Sequence, residues 1–179
     1  SSSVIKEDKE ELKEYSENPE VSYTNWSTIY NGGGEENRTK TTKTKNFKKM
    51  YSATTKAIRV SVKPIFLDDQ STPSEDHYVW AYQVTIENTG GETVQLLNRH
   101  WRITDAHGRM QEVKGEGVVG EQPRLRPGEL FEYTSGTPLT TPSGLMMGSY
   151  EMEGEGGQRF DIDIPAFSLD SPYQARQLN

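Results

Sequence analysis

The sequence contains no cysteine. Disulfide bonds, thiolate metal sites, iron–sulfur clusters and a cysteine nucleophile are therefore excluded. There is also no apolar run approaching the roughly 20 residues that a membrane-spanning helix needs. The opening segment, Ser1–Lys6, lacks the apolar core of a secretory signal. From these features we expect a soluble protein of the cytoplasm.

Positive charge is scarce relative to negative charge. The chain has 20 Lys and Arg residues against 27 Asp and Glu, which gives a formal net charge of −7. A net-acidic chain repels nucleic acid and anionic membranes beyond local contacts. We therefore expect no membrane partner and no nucleic acid partner, and a protein is the expected partner.

Histidine is rare as well, and no catalytic arrangement is recognisable. The three histidines, His77, His100 and His107, are not spaced to share a helix face as metal ligands. Ser135 lacks the glycine two residues earlier that a nucleophile elbow requires. The sequence therefore predicts no catalytic residues, no metal site, no cofactor and no enzymatic activity.

Carboxylates cluster in the segment between the first two strands of the expected domain. Asp68-Asp69 and Glu75-Asp76 supply oxygen ligands beside His77, but the spacing of an EF-hand and its turn glycine are missing. This predicts at most weak, nonspecific binding of divalent cations.

The composition changes abruptly near residue 50. Residues 1–49 carry nine basic and nine acidic groups, whereas residues 50–179 carry the whole net charge of −7 and 13 of the 16 glycines. The first part includes the glycine triplet of Asn31–Gly34 and a Thr/Lys run, which are typical of linkers. We predict that residues 1–49 are an extension, a tag or a linker with little order, and that residues 50–179 form one domain. Within the extension, Val21–Tyr30 has the composition of a strand.

The second part alternates apolar and polar residues with a period of two. The alternation ends at Pro64 in the first strand and continues for ten residues in the second, with no amphipathic helix between strands. This pattern predicts an all-β, antiparallel, immunoglobulin-like β-sandwich of about seven strands. The predicted strands centre on Ile58–Val62, Tyr78–Ile86, Val94–Ile103, Met110–Lys114, Phe131–Tyr133, Leu145–Met152 and Arg159–Ile164.

Tyr150 admits two interpretations. The segment Gly148–Met152 has the spacing of a tyrosine corner, in which the hydroxyl binds upstream backbone. The alternative is that Tyr150 is one more aromatic side chain on the inward face of a strand.

Glycines at positions 115, 117 and 120 match the string of dinucleotide-binding folds. That string works only between a strand and a helix, and the following Glu121–Gly128 contains two prolines and no helical period. A nicotinamide or flavin site is therefore excluded. Two hypotheses remain. Gly115, Gly117 and Gly120 form a weak anion-binding loop for phosphate or pyrophosphate with Arg124 and Arg126, or the glycines only permit a tight connection between strands.

Several motifs together resemble the ApaG family, in order and in register over roughly residues 52–170. The motifs are Gln95–Thr104, Gly115–Pro123, Pro127–Glu129, Tyr133–Gly136, Thr141–Gly144, Met147–Met152 and Phe160–Phe167. The resemblance implies a fibronectin type III-like β-sandwich. It also implies a family without an established biochemical activity, linked genetically to cobalt and magnesium resistance and suggested to bind pyrophosphate-like groups through its glycine string.

The functional prediction is a noncatalytic binding or adaptor domain of this family. One alternative is a sensor of phosphate or pyrophosphate ligands, or a weak enzyme, that uses the glycine loop. Another alternative is a structural subunit of a larger assembly, anchored by residues 1–49.

Overall fold

The computed structural model describes residues 6–7, 24–30 and 50–174 of the chain. These residues form strands and two short 3-10 turns, Asp68–Gln70 and Pro73–Glu75, and they contain no α-helix. The strands are β1 Lys6–Glu7, β2 Thr24–Tyr30, β3 Tyr51–Thr55, β4 Ile58–Phe66, β5 Tyr78–Asn88, β6 Val94–Asp105, β7 Met110–Glu116, β8 Arg124–Leu125, β9 Leu130–Leu139, β10 Ser143–Glu153 and β11 Arg159–Asp170.

Two antiparallel sheets make up the fold. The first has the order β1-β2-β9-β5-β4-β3, and the second has the order β11-β10-β6-β7 with β8 also pairing with β6. Strands β3 and β4 of the first sheet contact β11 of the second. The predicted all-β sandwich is confirmed, and each of the seven predicted strands is present.

The core lies between the inward faces of the two sheets. Trp101 on β6 is at its centre, with its ring 5.1 Å from that of Tyr82 and 6.1 Å from that of Phe167. Apolar side chains at alternate positions fill the rest of the layer, as expected when one face of each strand is buried. Fully buried examples include Val60, Val62, Val84, Ile86, Leu96, Phe131, Met152 and Ile162.

Three details differ from the sequence-based expectation. Strand β3 was not predicted, because its hairpin to β4 turns at Lys56 and Ala57, which both have positive φ (47° and 64°) although neither is a glycine. Strand β4 continues past Pro64, which pairs with Tyr82 on β5. Strand β3 begins at Tyr51, opposite Val62, so it does not pair with Pro64. The missing N–H of Pro64 therefore removes no hydrogen bond to β3, and proline is tolerated.

The third difference concerns Tyr150, for which the tyrosine corner is wrong. Tyr150 lies in the middle of β10 and is fully buried, opposite Arg99 on β6. Its hydroxyl forms a hydrogen bond with the hydroxyl of Tyr133 across the sandwich, not with upstream backbone. The alternative interpretation, an inward aromatic residue, is the one the structure shows.

The extension contributes two strands to the first sheet, β1 and β2, which pair with each other. Within the predicted strand segment of residues 21–30, residues 24–30 form β2, and residues 21–23 lie outside the described residues. Strand β2 pairs antiparallel with β9. The division into a poorly ordered extension and a domain at residues 50–179 stays a prediction, because most of residues 1–49 lie outside the described part of the chain.

In the described residues, no helix is long and apolar enough to cross a membrane.

Candidate functional site

The glycine string begins at the end of β7, where Gly115 lies over an arginine. Arg99 on β6 stands opposite Gly115, and a Cβ added to Gly115 would lie 2.7 Å from the Arg99 guanidinium nitrogens. Arg99 Nη1 donates hydrogen bonds to the carbonyl oxygens of Glu116 and Gly117, each at 3.0 Å. The missing side chain of Gly115 therefore makes room for the guanidinium, which holds the following backbone in place.

The rest of the string is a tight turn closed by its own hydrogen bonds. The Gly117 amide donates to Leu97 O at 2.8 Å, and the Val118 amide donates to Glu121 O at 2.8 Å. The Glu121 amide donates back to Val118 O at 2.9 Å, across Val119 and Gly120 with φ of 49° and 73°. Two amides that an anion-binding loop would need are thus already bonded to protein. The amides of Val119 and Gly120, at the tip of the turn, are the donors left for a phosphate to approach.

Gly117 is the most constrained glycine of the string. Its φ is 67°, and an added Cβ would lie 2.4 Å from the carbonyl oxygen of Glu121. Gly120 also has a positive φ of 73°, but an added Cβ there would meet nothing within 4 Å. The predicted structural role of the glycines therefore has a direct geometrical basis at Gly117.

The two arginines of the predicted anion site lie on β8 and just after it. Arg124 stands opposite Gln95 on β6, and its Nη1 lies 3.4 Å from Gln95 Oε1. Arg126 forms an exposed ion pair with Glu129, with its Nε 2.6 Å from Glu129 Oε1. Binding of an anion by these arginines stays a prediction.

An open depression of about 470 Å³ lies beside the glycine string on the second sheet. Its side chains make polar cross-strand contacts: Asn98 Nδ2 donates to Glu151 Oε1 at 2.8 Å, and His100 Nε2 lies 3.1 Å from Oε1 of Glu112, which is outside the lining. The lining carries charges of both signs and consists of Asn98, Arg99, His100, Lys114, Gly115, Glu116, Ser149, Glu151 and Asp161. Such a surface suits a polar partner better than a polyanion.

The buried pair of tyrosines beneath this region does not titrate in the physiological range. Burial raises the pKa of Tyr133 well above its ordinary value, and the nearby Tyr150 and its hydrogen bond raise it further. Burial also raises the pKa of Tyr150, even though the hydrogen bond from Tyr133 and the charge of Arg99 lower it. Both hydroxyls therefore stay neutral and act as a structural link between the sheets.

The predicted carboxylate-rich loop contains the two 3-10 turns. Asp68 accepts a hydrogen bond from the Tyr173 hydroxyl at 3.0 Å, so one of its oxygens holds Tyr173 against the loop. In residues 50–174 and the two described strands of the extension, no three Asp, Glu or His residues come together in a way that could hold a metal ion.

The side of β9 that pairs with β2 is a backbone surface that the sequence did not single out. Strand β2 pairs along it from Thr24 opposite Ser135 to Tyr30 opposite Leu130. On its other side β9 pairs with β5 over ten positions. This edge, the backbone of Leu130–Ser135, is called the β9 edge below, and it can be recognised only when the strand order is known.

These features define a class: a small antiparallel β-sandwich with an arginine-braced glycine turn and an edge that accepts a further strand. The comparisons with known proteins make the assignment specific. The chain belongs to the ApaG family, as the resemblance in its motifs predicted, and the model of the ApaG domain matches residues 68–154.

Relatives support this assignment over most of their length. The proteins named ApaG from Paramagnetospirillum magneticum and Parvibaculum lavamentivorans are 68% and 64% identical to this chain over 130 residues, which cover 73% of this chain and the whole of each relative. The crystal structure of a Bordetella pertussis protein described as ApaA has 53% identity and a TM-score of 0.63, and the match covers 64% of this chain and 94% of that one.

Proposed function

We propose that this chain is a noncatalytic adaptor domain of the ApaG family that binds a protein partner in the cytoplasm. The observation that carries the proposal is the pairing of β2, a strand from outside the matched family segment, with the β9 edge. A sheet edge that accepts one extended segment offers the same row of backbone N–H and C=O groups to another. Adding a strand to a sheet edge is an established mode of peptide recognition.

The geometry of the glycine string supports a domain that binds a partner and does not catalyse a reaction at this turn. The carbonyls of Glu116 and Gly117 are held by Arg99, and the amides of Gly117 and Val118 are used within the protein. A turn bonded in this way is a rigid connection between β7 and β8. It is therefore suited to fixing the sandwich and its edges in one shape.

A second candidate function is weak recognition of phosphate or pyrophosphate. It is favoured by one observation, the two amides of Val119 and Gly120 at the tip of the turn. Glu116 and Glu121 flank this tip and oppose an anion. The net charge of −7 opposes it further. We expect binding no tighter than about millimolar, which corresponds to roughly −4 kcal/mol.

The adaptor proposal can be tested by photo-crosslinking in cells. A benzoyl-phenylalanine probe is placed at Leu130 on the β9 edge or at Thr54 on β3, an exposed control position in the same sheet. Each probe is introduced into the full chain and into a Ser27→Pro/Thr28→Pro variant. Proline removes an N–H, and consecutive residues of a strand direct their N–H groups to opposite sides, so this pair prevents β2 from pairing with β9.

We expect the Leu130 probe to give discrete adducts with the same protein in at least one of the two backgrounds, and the Thr54 probe to give none of them. Identical adducts from both positions, or none from Leu130 in either background, would contradict the proposal. If the full chain released phosphate from pyrophosphate and Gly117→Ala abolished this activity, the weak-enzyme alternative would replace the adaptor proposal.

A further inference from the structure

Strand β2 is seated on β9 by its own pairing and not by its connection to the domain. Strand β3, the next described strand, lies at the opposite edge of the sheet, four strand spacings from β2. Four spacings correspond to about 19 Å across the sheet. The residues between Tyr30 and Tyr51 could span up to about 70 Å when extended. The chain is therefore long enough for β2 to leave the edge and return.

The β9 edge lacks the charges with which exposed strand edges usually resist pairing. Among the ten residues of β9, only Glu132 is charged. The outer strand β7 has three charged residues in seven, Glu112, Lys114 and Glu116. The outer strand β11 has four charged residues and Pro165. Of these three strands, β9 has the fewest charges; the outer strand β3 has none, but it is only five residues long against the ten of β9.

The register shows what a bound segment meets along this edge. Ile29 stands opposite Phe131, and Thr28 stands opposite Glu132. Glu132 is half-buried, and its Oε1 accepts a hydrogen bond from Gln83 Nε2 at 2.6 Å. Burial raises the pKa of Glu132, although the charge of Lys63 lowers it. An additional cation nearby would therefore stabilise the ionised form of this carboxylate.

We propose that residues 24–30 are a built-in competitor that masks the β9 edge until an extended segment of a partner protein displaces them. The partner segment would have an apolar residue opposite Phe131 and a Lys or Arg opposite Glu132, where this chain has Thr28. This inference rests on the proposed adaptor function and adds to it the binding surface, the class of partner and a means of regulation.

The experiment uses synthetic peptides with the sequence of residues 22–32 as probes. One peptide has the natural sequence, one carries Thr28→Lys, and one carries Thr28→Glu as the control of opposite charge. Binding is followed by backbone amide shifts of Leu130–Ser135 in the labelled full chain, in the Ser27→Pro/Thr28→Pro variant, and in a Thr41→Pro/Thr42→Pro variant. The last variant carries the same number of prolines outside β2.

We expect the Ser27→Pro/Thr28→Pro variant to bind the natural peptide at least about tenfold more tightly than the full chain, because a tethered competitor acts at an effective concentration near millimolar. The Thr41→Pro/Thr42→Pro variant should behave like the full chain. The Thr28→Lys peptide should bind up to about fivefold more tightly than the natural one, and the Thr28→Glu peptide more weakly, since cross-strand charge pairs have effects of this size.

The outcomes separate this inference from the function on which it rests. Equal binding by the full chain and the Ser27→Pro/Thr28→Pro variant would overturn the masking while leaving strand addition intact. Shifts at Leu130–Ser135 in neither protein would overturn both. If the double variant gives no dispersed amide spectrum, the single variants Ser27→Pro and Thr28→Pro replace it, because one of these two residues directs its N–H to β9.

Discussion

Replacing single glycines of the string with alanine separates a structural role from a binding role. The perturbation is one Cβ at each of three positions that differ in what the new atom meets. At Gly117 the Cβ would lie 2.4 Å from the backbone oxygen of Glu121, at a φ of 67°. At Gly120 it would meet nothing within 4 Å, at a φ of 73°. At Gly91 it would also meet nothing within 4 Å, and the φ of this residue is not positive, so Gly91 is the control.

The expected losses of unfolding free energy follow from these contacts. Gly91→Ala should be neutral or slightly stabilising, because alanine reduces the entropy of the unfolded chain by up to about 1 kcal/mol. Gly120→Ala should lose about 1 kcal/mol, the penalty of the left-handed conformation for a residue with a Cβ. Gly117→Ala adds a clash with backbone that cannot rotate away, so its loss should be about 2–4 kcal/mol.

Urea unfolding measures the series. The fluorescence of Trp80 and Trp101, both buried in the core, reports loss of the sandwich. The thermal midpoint should fall by about 2–4 °C for each kcal/mol in a chain of this size. If Gly117→Ala were as stable as Gly91→Ala, the turn would be able to open at little cost. The hydrogen bonds of the turn would then not hold the connection between β7 and β8 in place.

Three further results are expected. Tyr150→Phe should lower the free energy of unfolding by about 1–3 kcal/mol, because it leaves the buried Tyr133 hydroxyl unpaired. In urea unfolding, the double replacement with Tyr133→Phe should lose less than the sum of the two single losses. Additive losses would contradict the hydrogen bond between the two hydroxyls. Glu132→Gln should be more stable than the parent at pH 7 by less than about 1 kcal/mol, because burial raises the pKa of this half-exposed carboxyl and so destabilises its ionised form. The difference in stability should shrink as the pH falls through that pKa, since the parent carboxyl then becomes neutral. A difference that grows towards acid pH would refute this expectation. Deleting residues 1–49 should lower the thermal midpoint by only a few degrees, and an unfolded remainder would show that β2 is an integral strand.

Much of the fold could be predicted from alternation, because each sheet of a sandwich buries one face of each strand. Tyr78–Ile86 and Val94–Ile103 are examples, and both belong to observed strands. Strand β3 was missed because positive φ at Lys56 and Ala57 is not readable from residue type. Residue types that favour a turn were absent there.

The arrangement around the glycine string could be predicted only in part. Alternation with Trp101 places Arg99 on the inward face, which is an unusual position for a cation and could have drawn attention to it. Its pairing with Gly115 depends on the register of β6 and β7, and a one-residue slip would separate the two residues. The β9 edge is harder still to predict from the sequence, since it depends on the strand order and not on any local motif.

The most direct test of the account is a map of amide shifts when the peptide of residues 22–32 is added to the Ser27→Pro/Thr28→Pro variant. We expect saturable shifts that centre on Leu130–Ser135 and leave Gly115–Gly120 unchanged. Shifts confined to Gly115–Gly120, or a folded protein with no shifts along β9, would contradict the claim that this domain acts by accepting a strand.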